Sequence, residues 1–382
     1  MSAFEFAGAS PSDDGRPATR PIETVAVVGA GAWGTALAVI AAQAGRTVRL
    51  HARREDHAAA LRRDRRNARH LPEAPFPDSI LPTSDLREAV EGADAVLLVV
   101  PSGAVRETAR TLAAHLAPGV PVCLAAKGVE VGTDKLMSRV VAEELPENPV
   151  AALSGPNFAG EAATGHPTAA TIASAGDFGA GAEATVAVRL AVALGTESFR
   201  PYVSDDLVGV EIGGALKNVI AIACGIAVGA GFGENTRAAL ITRGLDEMKR
   251  LAEPLGGRRE TVTGLAGIGD LALTCSSPTS RNMRLGLELG QGRKRADCFD
   301  GEPVVVEGER NALSVTDLAR AHGVDLPICE SVRAILHDGA SIAQTFAALW
   351  ARPLEGEPKA LSLSLAHPAA AKAAGHFKER MR

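Results

Sequence analysis

Cysteine is scarce in this chain, and none of its five (Cys123, Cys224, Cys275, Cys298, Cys329) stands close to another. That spacing gives neither a disulfide frame nor a metal-binding knot. Set among apolar neighbours, the five read as reduced thiols, which points to the cytoplasm. The nine histidines form no His-x-x-x-His or comparable cluster, so no metal site is expected. No Ser-His-Asp or Cys-His arrangement can be argued from spacing either. Neither sign of charge dominates: the formal net value is −5, which gives no general attraction to nucleic acid or to an anionic membrane. Residues 1–20 hold no apolar stretch long enough for a signal peptide and read as a disordered tail. The longest apolar run, Val219 to Phe232, is broken by glycines and too short to cross a bilayer, which suits a buried core helix. There is no internal repeat.

What is present is a globular composition, 46% hydrophobic and 22% charged, in a chain with room for about two domains. Its most informative segment is Val25-Ala-Val-Val-Gly29-Ala-Gly31-Ala32-Trp33-Gly34. A β-branched run feeds a Gly-x-Gly-x-x-Gly loop that opens into an alanine-rich helix. Gly29 permits the tight turn, Gly31 leaves the backbone open to a pyrophosphate, and Gly34 lets the helix pack on the sheet. The helix N-terminus then offers free N–H groups to the anion. Short, unalternated apolar runs follow at 47–50, 95–100, 121–126, 150–153 and 169–173, with helix-like stretches between several of them. That pattern predicts an α/β fold with an N-terminal Rossmann-type, doubly wound sheet over residues 21–204. From 205 to 352 the segments lengthen and take helical spacing, so a mostly α-helical second domain is expected. Residues 353–382 read as a peripheral tail.

The second strand ends on Arg53 and Arg54, where an NAD-preferring fold carries an acid. An arginine there faces the 2′-phosphate of NADP, so NADPH is the preferred cofactor, with NADH as the second. Four further segments fall where a ligand would meet them. One strand ends on Lys127-Gly128, and another ends in Ser154-Gly155-Pro156-Asn157. Glu211 to Asn218 sets Lys217 and Asn218 inside an apolar helix. Gly267-Ile-Gly-Asp270 to Thr274 precedes Ser280-Arg281-Asn282, a candidate helix cap.

Taken in order with the glycine loop, these motifs resemble NAD(P)-dependent glycerol-3-phosphate dehydrogenase of the bacterial type, from about Ile22 to Gly339. The resemblance implies reversible reduction of dihydroxyacetone phosphate to sn-glycerol 3-phosphate, the backbone precursor of glycerophospholipids. It implies that Lys217 transfers the proton and that Lys127 touches both substrate and cofactor. Gly155, Asp270, Ser280, Arg281 and Asn282 match substrate-binding positions. Trp33, Arg53, Ala159, Arg281, Val305 and Glu307 match positions lining the cofactor, and Asn218 and Thr274 match polar residues around the reacting carbon. Asn157 stands where the family commonly has Ser or Thr.

The residues themselves support these roles. A lysine inside an apolar helix loses solvation, which lowers its pKa toward the range useful for proton transfer. Gly213 and Gly214, one turn earlier, are expected where a ligand approaches the backbone. A helix cap, a helix dipole and a guanidinium fork at Ser280-Arg281-Asn282 suit a phosphate dianion. Two other readings stay open at this level: another dehydrogenase with a Rossmann half and a helical half, and a non-catalytic NAD(P)-binding redox sensor. A homodimer is also compatible with the sequence.

Overall fold

The computed structural model describes residues 21–176, 178–179, 181–356, 363–372, 375 and 379; the tail read at 1–20 lies outside them. Eight strands form one sheet: β1 (Thr24–Val28), β2 (Thr47–His51), β3 (Ile80–Thr83), β4 (Ala95–Leu98), β5 (Val122–Leu124), β6 (Val150–Ser154), β7 (Thr168–Ser174) and β8 (Phe199–Ser204). Their order is β8-β7-β6-β5-β4-β1-β2-β3. The first six run parallel, while β7 and β8 pair parallel with each other and antiparallel to β6. Every residue of β4 and β5 is buried, which is why these strands carry no alternation in the sequence. Strand order reverses beside β1, so the β1 loop faces the crevice where such sheets bind ligands.

The helical half begins at Asp206, whose carboxylate caps the helix Leu207–Gly229 by accepting from Gly209 N at 2.8 Å. This helix is the core of that half, with all of 209–227 buried. The expectation of a short apolar segment needs correcting. The helix is 23 residues long, with a mean hydropathy of 1.7 over its most apolar window, so by length and composition it could cross a membrane. In this fold 89% of that window is buried inside the protein, and other helices pack around it. One of them, Arg281–Gly290, crosses it on a glycine contact. A Cβ on Gly225 would lie 2.2 Å from Met283 O, and one on Gly286 would lie 2.1 Å from Ile222 O. That close crossing carries the start of the Arg281 helix toward Asn218. In the tail, Leu354–Glu355 and Ser364–Leu365 pair antiparallel.

Candidate active site

The β1 loop is shaped by contacts that only glycine permits. Gly29 has φ +118°, and a Cβ there would sit 2.3 Å from Val99 O; one on Gly34 would sit 1.8 Å from Gly29 O. Over Gly31 nothing lies within 4 Å, so that side of the loop is open. The following helix, Ala32–Gln43, has no side-chain cap, which leaves its first N–H groups for an anion. These features fit a dinucleotide pyrophosphate. Asn67, fully buried and unmarked by any sequence signal, braces the loop by donating to Ala30 O (3.0 Å) and Thr35 Oγ1 (2.8 Å). Trp33 and Ala159 both pack against the apolar core of this half. Of the two arginines beyond β2, Arg54 is engaged by Asp56 at 2.9 Å, whereas Arg53 is exposed and unpaired among the described residues.

Three charged side chains from distant parts of the chain meet under the sheet's carboxyl edge. Lys217 Nζ donates to Asp270 Oδ1 at 2.5 Å and to Thr274 Oγ1 at 2.9 Å. Lys127 Nζ donates to Asp270 Oδ2 at 2.6 Å, and Gly155 O lies 3.5 Å away. Asp270 is 1% exposed and Lys217 8%. Burial pushes the Lys217 ammonium from 10.5 down to about 8; Asp270 opposes that fall and Lys127 adds to it. Burial acts to raise the Asp270 carboxyl, but the two lysines outweigh it and hold the group below the ordinary carboxylate value. Asp270 follows a π-helical turn, Leu265–Gly269, a widened geometry found at functional sites. Ser154 Oγ and Asn157 Oδ1 are buried without partners among the described residues, while the Asn157 amide donates to Ala169 O at 2.9 Å.

The remaining site residues form a second group beside the first. Asn282 donates to Asn218 Oδ1 (2.9 Å) and accepts from Gly308 N (2.9 Å), and Asn218 donates to Glu307 (3.2 Å). Ser280 caps its helix by accepting from Met283 N at 3.2 Å. Arg281 is exposed and donates to Val305 O at 3.0 Å. It stands close enough to His70 to help depress that imidazole's pKa, after burial, His57 and Arg69. The Arg281 helix therefore faces the nucleotide half across the cleft.

One expectation fails in its reason. Gly213 and Gly214 make room for protein, not for a ligand: a Cβ on Gly213 would meet Ala266 O at 2.5 Å, and one on Gly214 would press on Ser154 Oγ (3.1 Å) and the Lys127 side chain (3.3 Å). These glycines let the π-turn and Lys127 reach the Lys217 helix. Asn311 went unread in the sequence. It is fully buried and donates to Lys127 O (3.2 Å) and Ala215 O (3.1 Å), which ties the two lysine-bearing segments together. An asparagine in an ordinary amphipathic helix carries no sign of such a role.

Residues 24–178 match the N-terminal domain of NAD-dependent glycerol-3-phosphate dehydrogenase, and residues 206–347 match its C-terminal domain. Glycerol-3-phosphate dehydrogenase [NAD(P)+] of Parvibaculum lavamentivorans is 48% identical over 333 residues, covering 87% of this chain and 98% of the relative. The enzyme of the same name from Methylobacterium radiotolerans is 49% identical over 334 residues, covering 87% and 97%. The crystal structure of glycerol-3-phosphate dehydrogenase from Coxiella burnetii superposes with a TM-score of 0.81 at 39% identity, covering 87% of this chain and 99% of that one. With both domains matched and the relatives covered almost end to end, the chain belongs to the NAD-dependent glycerol-3-phosphate dehydrogenase family.

Proposed function

We propose that the chain reduces dihydroxyacetone phosphate to sn-glycerol 3-phosphate, reversibly, with NADPH as the preferred cofactor and NADH as the second. The observation that carries the reading is the buried Lys217–Asp270–Lys127 cluster beside an open glycine cradle. When bound, the reduced nicotinamide supplies the hydride. Lys217, mostly protonated at neutral pH, gives a proton to the ketone oxygen as it becomes an alkoxide. Asp270 keeps Lys217 charged and aimed, while Lys127 adds positive charge near the same oxygen. Asn218 and Thr274 set the polar lining around the reacting carbon. Arg281 and Asn282 at a helix start hold the phosphate, with the Ser280 cap fixing that start. Gly155 and Asn157 border the substrate. Gly29, Gly31, Ala32, Trp33, Gly34, Arg53, Ala159, Val305 and Glu307 line the cofactor, and Arg54 is the reserve for Arg53. The product serves as the backbone of glycerophospholipids, and the free, buried thiols suit a reducing cytoplasm.

Steady-state turnover with dihydroxyacetone phosphate and with unphosphorylated dihydroxyacetone tests this reading. Arg281→Ala should cost about 1.5–3 kcal/mol in kcat/KM for the phosphorylated ketone, the range for a hydrogen bond to a charged group. It should cost little for the unphosphorylated one; equal losses for both would remove the phosphate role. Arg53→Asp should lower kcat/KM for NADPH far more than for NADH, because it replaces an attractive charge with a repulsive one. An unchanged ratio of the two would show that Arg53 is surface charge only.

A further inference from the structure

Asn67 lies outside the main sheet, on a short antiparallel pair formed by Arg66–Asn67 and Leu71–Pro75. Its side chain uses every hydrogen-bonding position that an amide has. The two amide hydrogens go to Ala30 O and Thr35 Oγ1, while Oδ1 accepts from His70 N at 3.3 Å and lies 3.3 Å from His57 Nε2. The backbone partners fix which way the amide is turned. Ala30 O can only accept and the His70 N–H can only donate, so the NH2 group has to face the glycine loop. Thr35 is fully buried as well, and holds the second amide hydrogen from the first turns of the helix Ala32–Gln43.

Through Ala30 O the amide sets the direction of the next N–H. Ala30 C=O and Gly31 N–H belong to one planar trans peptide unit, so they point in opposite directions. With the carbonyl turned to the buried Asn67, the Gly31 N–H turns away from it, and the space over Gly31 is open. Neighbouring loop groups are taken within the chain: Gly29 N donates to His51 O at 3.2 Å, and Gly31 O accepts from Thr35 N at 2.9 Å. The Gly31 N–H has no partner among the described residues. The covalent structure of the loop does not hold this orientation by itself. The Ala30–Gly31 unit turns through Ala30 ψ and Gly31 φ, and although φ is −76° here, glycine takes either sign at little cost. A flipped unit would present a carbonyl oxygen to an anion in place of a donor.

We propose that Asn67 is a positioning residue for cofactor binding: by clasping Ala30 O it holds the Ala30–Gly31 peptide with its N–H toward the pyrophosphate of the dinucleotide. The inference rests on the cofactor reading above and adds to it a residue that acts only through the loop. A donor held in place before the ligand arrives costs no ordering when it binds, which is how a residue behind the loop contributes to affinity.

Fluorescence titration of the full chain with NADPH and with NADH, and displacement of NADPH by adenosine 2′-monophosphate, tests this without reading catalysis. Asn67→Asp keeps the size of the side chain and the oxygen that takes the His70 N–H, but sets a second oxygen against Ala30 O. It should weaken NADPH and NADH by the same factor, about fivefold or more, since both carry the pyrophosphate. Adenosine 2′-monophosphate has no pyrophosphate and should keep its affinity. Thr35→Val is close in shape and removes only the acceptor that anchors the amide. It should weaken NADPH by about threefold or more, again sparing the monophosphate, and it decides the matter if Asn67→Asp does not fold. A smaller loss of NADPH affinity in the variant that folds overturns the proposal. So does an equal loss for NADPH and the monophosphate, which would mark general loosening of the nucleotide half. A parent chain that binds neither dinucleotide refutes the cofactor reading itself, a result distinct from both.

Discussion

Asp270 and Glu247 are buried to the same depth in the same half of the molecule, at 1% and 0% exposed, yet their carboxyl groups move in opposite directions. Burial raises Glu247 to about 7, against the pull of the first amides of the helix Pro327–His337 and of Arg250, which only partly offset it. Burial acts on Asp270 in the same sense, but two ammonium groups within 2.6 Å reverse it. Desolvation is common to both sites, and at Asp270 the charges of two lysines overcome it. Glu211 repeats the Glu247 case, since it is raised to about 7 while it holds Ser138 by backbone and side chain. The protein thus uses buried carboxyl groups in two ways, as helix and domain staples where burial raises the pKa, and as an electrostatic anchor where two lysines lower it.

Removing the lysine is the severest way to break the contrast. Lys217→Ala should lower kcat by about 10²- to 10⁴-fold, the span for loss of a general acid, while cofactor binding stays near normal. Retention of more than about a tenth of the parent kcat, outside that span, would place the proton donor elsewhere.

Neutralising the anion makes Asp270 resemble Glu247. Asp270→Asn leaves two buried ammonium groups without a counter-charge, so it should cost about 3–5 kcal/mol of stability, as measured by denaturant unfolding. It should also move the pH profile. In the parent, ketone reduction needs protonated Lys217 and should fall as pH rises through about 8, while alcohol oxidation needs the neutral amine and should fall below that value. Without Asp270 the lysine loses the charge that raises its pKa, so the limb of both profiles should shift to lower pH. A limb that stays in place would mean that another group titrates.

Glu247 gives the smallest effect and sharpens the other side of the comparison. Its folded value, about 7, lies above the ordinary 4.5, so its contribution to stability is fully present below about 4.5 and is lost as pH rises through 7. Glu247→Gln does not titrate. It should cost about 1–3 kcal/mol at pH 5 through weakened capping, and that deficit should shrink between pH 5 and pH 8. A pH-independent deficit in thermal or denaturant unfolding would show that Glu247 titrates normally.

The nucleotide cradle was legible because its requirements are local. Gly29, Gly31 and Gly34 are set by a turn, an approach and a packing contact within six consecutive residues, so the spacing alone announces them. The buried parallel strands were legible for a similar reason: a strand covered on both faces has no polar positions to alternate. Lys217 stood out as a charge in an apolar run. Its partners did not, because Lys127, Asp270 and Thr274 are separated from it by dozens of residues in the chain, and only the family resemblance joined them. Gly213 and Gly214 were visible but misread, since sequence records that space is needed and not what fills it. Asn67 and Asn311 were silent: a buried amide in a polar-looking position is distinguishable from a surface one only when its hydrogen-bond partners are known.

By itself, then, the sequence located six of the eight sheet strands, missing Ile80–Thr83 and Phe199–Ser204, together with the glycine cradle and the buried character of the Lys217 helix. Each of these follows from short-range sterics or from hydrophobic burial written along the chain. Only the tertiary structure decided the ionisation of Asp270, how far the Lys217 pKa falls, and the bracing by Asn67 and Asn311. Those depend on Coulomb and hydrogen-bond terms that act over a few ångströms in space, whatever the distance along the chain.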